Sequence, residues 1–141
     1  MVIDTSALVA LLAEEPDAPR IAAAIERAET RQIPAIVRLE AAMVLSSVLD
    51  RDPDDMADGV DAMLDEARFV SIAIDDAIAH AAVSAFSRYG KGRGHPARLN
   101  LADCLVYAAA MSVGAPLLFI GDDFTRTDIA SVLDDPRPMT L

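Results

Sequence analysis

A chain of 141 residues suits one domain. It is 53% hydrophobic but only 4% aromatic and has no Trp, so Ala, Leu, Val and Ile must fill its core. The formal net charge of −11 excludes a protein that holds nucleic acid by charge alone, because such proteins are basic.

Further exclusions follow from the residue types. The lone Cys104 rules out an intrachain disulfide and suits a reducing compartment. The start, MVIDTSALVALLAEE, lacks a basic stretch and breaks its apolar run with Asp4, so it does not read as a signal peptide. No apolar run approaches the roughly 18 residues of a membrane span. A cytoplasmic protein is the expectation.

Val2 and Ile3 form a very short buried strand that stops at Asp4. Thr5 and Ser6 are capping residues, and Ala7 to Leu12 carry helical apolar spacing. Glu14-Glu15-Pro16-Asp17 ends that helix and caps the next, expected over Ala18 to Thr30. Gln32 to Ile36 reads as a second strand. Arg38 to Leu49 reads as a helix with Leu39, Ala42, Met43, Leu45 and Leu49 on its buried side. Asp50 to Asp55 is an acidic linker, and a helix follows over Met56 to Ala67.

Phe69 to Ile74 alternates and is β-branched, which predicts a third strand. Asp75 caps a helix running to Tyr89. Gly90 to Arg98, GKGRGHPAR, is a flexible basic loop. Asn100 caps a helix over Leu101 to Val113, which Gly114 ends. Leu117 to Ile120 is a buried strand followed directly by Gly121-Asp122-Asp123 and a last helix, and the tail from Ser131 predicts an edge strand near Met139. Strands alternating with helices imply an α/β fold: one three-layer domain over residues 1–141, its small, mainly parallel sheet flanked by helices. Such sheets bind ligands beyond the carboxyl ends of their strands, where the strand order reverses.

Four acidic positions fall suggestively on that plan. Asp4 ends the first strand, and Asp122 and Asp123 follow the last. Glu40, in IVRLEAAMVL, and Asp103, in LNLADCLVYAAAM, sit among apolar neighbours on helices. An unpaired carboxylate in such surroundings is costly to bury and takes up a proton unless a cation offsets it. A shared divalent ion would offset all four. Mg²⁺ or Mn²⁺ suits carboxylate oxygens, whereas two His and one Cys offer little to zinc. Each position also has a plainer reading. Asp4 can be a helix cap, Glu40 a partner of Arg38 or Arg20, Asp103 an early-helix acid, and Asp122 and Asp123 turn formers.

MVIDTSALVALL, RLEAAMVL, YGKGRGHPARLNLADC and PLLFIGDDFTRTDI together resemble, in that order, the PIN-domain ribonucleases. More narrowly they resemble the VapC toxins of type II VapBC toxin–antitoxin modules. The resemblance runs from Met1 to about residue 133. It implies a PIN-like domain and an acidic quartet that binds Mg²⁺ or Mn²⁺, matched here by Asp4, Glu40, Asp103 and, in the fourth place, Asp123. Asp122 then falls on a variable position and Asp128 on an auxiliary acid, while Thr5 and Ser6 match the hydroxyls beside the first acid.

The implied activity is metal-dependent hydrolysis of RNA, with transfer or ribosomal RNA as possible substrates. The implied partners are a VapB-type antitoxin and a second copy of the chain. Lys91, Arg93 and Arg98, three of only 12 basic residues, form a patch expected to grip RNA phosphates; a solvated loop is the plainer reading. The alternative to an enzyme is a non-catalytic metal- or RNA-binding module of the same fold. A phosphoacceptor signalling domain would need a Lys after its last strand, where Gly121-Asp122 stands, and an aspartyl phosphatase would need an acid at Ser6.

Overall fold

A computed structural model describes residues 1–134. The elements run β1 (Val2–Ile3), α1 (Thr5–Leu12), α2 (Ala18–Arg27), β2 (Gln32–Pro34), α3 (Ala35–Leu49), α4 (Pro53–Glu66), β3 (Val70–Ile72), α5 (Asp76–Tyr89), α6 (Leu101–Val113) and β4 (Leu117–Leu118). All strand pairs among the described residues are parallel, in the order β3-β2-β1-β4. Successive strand residues point to opposite faces. Val2 and Ile3 are both fully buried, as are Leu117 and Leu118, so helices must cover both faces of the central strands. This is the expected three-layer α/β arrangement. No helix among the described residues is long and apolar enough to cross a membrane.

Local chemistry sets the helix ends. Asp52 caps α4 by accepting from the N–H groups of Asp54 and Asp55, and Pro53 occupies the first helical position, where no N–H is needed. The helix therefore begins earlier than Met56, and the expected linker shrinks. β2 stops at Pro34, and α3 starts at Ala35 rather than Arg38. Gly114, at φ +62°, closes α6 in the left-handed region.

Two expectations fail. The buried stripe of α3 is Val37, Ala41, Ala42 and Leu45, while Leu39 and Met43 are each 58% exposed and Leu49 is 41% exposed. A helix apolar nearly all round has no polar face to declare which side packs. Small Ala41 and Ala42 allow the close approach of neighbouring helices, and that contact chose the side. The helix expected after the last strand is also absent: residues 122–128 form turns. There Thr125 and Thr127 donate their hydroxyls to the carbonyls of Asp122 and Phe124, at 2.9 and 2.7 Å, which competes with helix formation.

Smaller differences are at the edges. The third strand shortens to an edge strand with Val70 62% exposed, and the last strand ends two residues early. The chain returns beside β4 through a single bridge, Leu117 to Ser131; the edge strand expected near Met139 lies outside the described residues.

The rotated face of α3 makes a prediction. Leu45→Ala should cost about 2–5 kcal/mol in urea unfolding, whereas Leu39→Ala should stay within about 0.5 kcal/mol. The reverse ranking would mean that α3 packs by its other side.

Candidate active site

The strand order places β1 between β2 and β4, so the direction of connection reverses beside β1. Asp4 leaves β1 at that switch point. Its N–H donates to the Leu118 carbonyl at 2.9 Å, tying it to β4. Its Oδ2 accepts the Ser6 N–H at 3.0 Å and the Ser6 hydroxyl at 2.6 Å, so Asp4 is the N-cap of α1. The Ser6 hydroxyl in turn accepts the Ile120 N–H at 3.0 Å. One serine thus braces the first acid and joins it to the segment that carries Asp122 and Asp123. Beside it, the Thr5 hydroxyl is buried without a hydrogen-bond partner among the described residues.

Asp103 is fixed from the other side. It is the third residue of α6 and forms a capping box with Asn100: its N–H donates to Asn100 Oδ1 at 2.9 Å, and its Oδ2 accepts the Asn100 N–H at 3.1 Å. Asp4 and Asp103 are 5% and 8% exposed, and with Thr5 they are the buried polar residues of the described chain.

Electrostatics tie the acids together. Burial pushes the Asp103 carboxyl up to about 7; the Asn100 N–H opposes this, and the charges of Asp123, Asp4 and Glu40 add to it. Asp4 is raised mainly by burial, against the two Ser6 bonds, with Glu40 adding its charge. The ion pairs among the described residues are Arg20–Asp17, Arg38–Asp61 and Arg88–Asp128, so none reaches these four acids. The partners that would have made Glu40 an ordinary paired residue are engaged elsewhere.

The acids do not form a closed cage. Among the described residues no three His, Cys, Asp or Glu side chains stand together as a metal-holding cluster. Asp4 and Asp103 are held rigidly, Glu40 is half-buried, and Asp123 is exposed. An anionic, all-oxygen set with uncompensated burial nonetheless suits a hard divalent cation.

The remaining candidates divide. Asp123, not Asp122, is the member of the pair whose charge raises Asp103; Asp122 is exposed and serves a turn through its carbonyl. Asp128 accepts a hydrogen bond from the Tyr107 hydroxyl and pairs with Arg88, a link that sequence reasoning missed. Lys91, Arg93 and Arg98 are all exposed on a loop whose base is closed by Lys91 N–H to Leu99 O and Leu99 N–H to Tyr89 O, each 2.9 Å. His95 stacks edge-on against Tyr89, and its Nδ1 accepts the Ala97 N–H, so it shapes the loop.

The raised carboxyls predict a pH effect. Between the ordinary carboxylate range and about 7, the folded chain keeps a proton at Asp103 that the unfolded chain has released, so stability falls as pH rises through that window. Without divalent cations, the thermal midpoint should drop by a few degrees from about pH 5 to about pH 8, and Asp103→Asn should flatten the drop. An equal drop in that variant would place the titrating group elsewhere.

Comparison with known proteins agrees with this architecture. Residues 1–130 match the family model of the PIN domain. The chain is 40% identical over 134 residues to ribonuclease VapC28 of Mycobacterium tuberculosis, covering 95% of this chain and 98% of that one. It is 45% identical over 132 residues to ribonuclease VapC30 of the same species, covering 94% and 98%. A solved toxin–antitoxin complex from Klebsiella pneumoniae contains a chain of the same fold, with a TM-score of 0.61 and 21% identity over 90% of this chain and 92% of that one. An acid-lined switch point in a β3-β2-β1-β4 parallel sheet, with this degree of identity across nearly the whole length, makes the chain a member of the PIN-domain family, in its VapC branch.

Proposed function

We propose that this protein is a metal-dependent endoribonuclease and the toxin of a type II toxin–antitoxin pair. The observation that carries the reading is the burial of Asp4 and Asp103 at the switch point, within range of Glu40 and Asp123, with no ion pair to any of them among the described residues. The ribonuclease names of the VapC relatives support the substrate class.

Asp4, Asp103, Glu40 and Asp123 would hold Mg²⁺ or Mn²⁺. Bound there, the ion would offset phosphate charge and acidify a water. The chain's own contribution is positional. Ser6 holds Asp4 by Oδ2, and Asn100 holds Asp103 by Oδ2, so neither acid has to be ordered when substrate arrives. Water attacks phosphorus in line, and its oxygen forms the new P–O bond as the opposite ester bond breaks. Half-exposed Glu40 is open to solvent and can pass the water's proton outward. The leaving oxygen takes a proton from solvent. Thr5, whose buried hydroxyl lacks a partner among the described residues, is available to orient the water or a phosphate oxygen.

The net charge of −11 would repel RNA, so the strand must be gripped locally. Lys91, Arg93 and Arg98, clustered and exposed before α6, supply that grip. A VapB-type antitoxin and a second copy of the chain are the proposed protein partners. The acid cluster offers charge-assisted bonds to an Arg from a partner, and the exposed apolar side of α3, with Leu39 and Met43, offers contact area.

Purified protein should cleave some members of an RNA panel that includes transfer and ribosomal RNAs, with Mg²⁺ or Mn²⁺ present and not with chelator. Asp4→Asn and Asp103→Asn should each lower the rate by about 100-fold or more while the fold persists. Undiminished cleavage by both variants would sink the assignment, and tight binding without cleavage would favour a non-catalytic module. Replacing Lys91, Arg93 and Arg98 by Ala should weaken RNA binding and reduce the slope of log affinity against log salt by about 2. An unchanged slope would reject the patch.

A further inference from the structure

One cluster lies outside the acid site and is not used by the chemistry above. Tyr107 is on α6, one helical turn beyond Asp103, and is 7% exposed. Its hydroxyl donates to Asp128 Oδ1, while Arg88 of α5 approaches Asp128 Oδ2 at 3.4 Å. Tyr89 lies edge-on to Tyr107 at 5.5 Å, and Arg88 sits over the Tyr89 ring at 4.7 Å.

The segment held by this cluster is the one that carries Asp123. It leaves the sheet at Gly121, whose φ of +89° is a conformation that other residues rarely adopt. Phe124 then plugs into the core against Phe119, 5.4 Å between ring centroids. At its far end Ile129 is also buried, and the Ala130 carbonyl accepts the Leu117 N–H at 2.9 Å. Between these ends the turns of residues 122–128 contain no regular hydrogen-bond ladder. Asp128 adds a side-chain tie to α6 there. Its pairing with Arg88 is exposed on both sides, and such pairs contribute little. The Tyr107 bond is the stronger one: a buried phenol needs an acceptor, and a bond to a charged acceptor is stronger than a neutral one.

We infer that Tyr107 is a positioning residue: through Asp128 it locks the segment after β4 onto α6, and so holds Asp123 at a set place relative to Asp103 on the same helix. The inference rests on the proposed metal-dependent reading for its consequence, because the position of Asp123 matters only if the acids share an ion. The lock itself is independent of that reading.

The test uses the full chain with Tyr107→Phe, which keeps the ring and its packing on Tyr89, and with Asp128→Ala at a partly exposed position. Hydrogen exchange is measured without divalent cation, and Mn²⁺ binding is measured by calorimetry, with Asp4→Asn as the control. Both variants should speed exchange of the amides from Phe124 to Ile129 by about 10-fold and weaken Mn²⁺ binding by about 10-fold. The double variant should be no worse than either single one, as expected for two ends of one interaction. Unchanged exchange in that segment overturns the lock. Faster exchange with unchanged Mn²⁺ affinity overturns its role in placing Asp123. If the unsubstituted chain binds Mn²⁺ no better than Asp4→Asn, the metal reading fails, and the exchange data alone decide whether Tyr107 holds the segment.

Discussion

Asp4 and Asp103 are buried within range of each other's charge, and among the described residues no basic side chain pairs with either of them. Burying one carboxylate unpaired is already costly, and a second one nearby raises the cost. Such an arrangement persists only where the surrounding structure holds it. Much of what is distinctive in this fold does that holding. The two-residue β1 ends where it must to deliver Asp4, Ser6 clamps one oxygen, and the capping box of α6 clamps Asp103. The protonation equilibrium of Asp103, displaced to about 7, is the visible cost of the arrangement.

Both buried acids also cap helices. Asp4 satisfies the first turn of α1, and Asp103 completes a capping box with Asn100. Serving as a cap does not keep either acid from the other's charge. The cap bonds engage Oδ2 in each case, and they turn a flexible side chain into a fixed one. The helix N-termini add favourable dipoles, which partly offset the repulsion between the carboxylates.

The apolar surface is arranged on a different logic. α3 turns Val37, Ala41, Ala42 and Leu45 inward and Leu39 and Met43 outward. Close helix contact on one side is what leaves Glu40 only half-buried, at the border between core and solvent. The same helix therefore sets the place of an acid and presents an apolar face.

Several features were legible in the linear sequence because they depend on neighbours along the chain. The short apolar run ending at Asp4, the cap at Asn100, the stop at Gly114 and the alternation of strands with helices all obey local rules of capping and periodicity. So did the oddity of Glu40 and Asp103 among apolar neighbours, and the ordered motifs that match the PIN-domain family. Other features needed the folded chain. Which side of α3 packs was undecided by a pattern that is apolar almost all round. The turns after β4 depended on threonine hydroxyls capturing nearby carbonyls, which helical spacing does not reveal. That Asp123 rather than Asp122 adds its charge to Asp103, and that Tyr107 reaches Asp128 across 21 positions, are matters of distance in space. Sequence spacing encodes which groups are available and how each helix begins and ends; only tertiary packing decides which charges share one low-dielectric pocket.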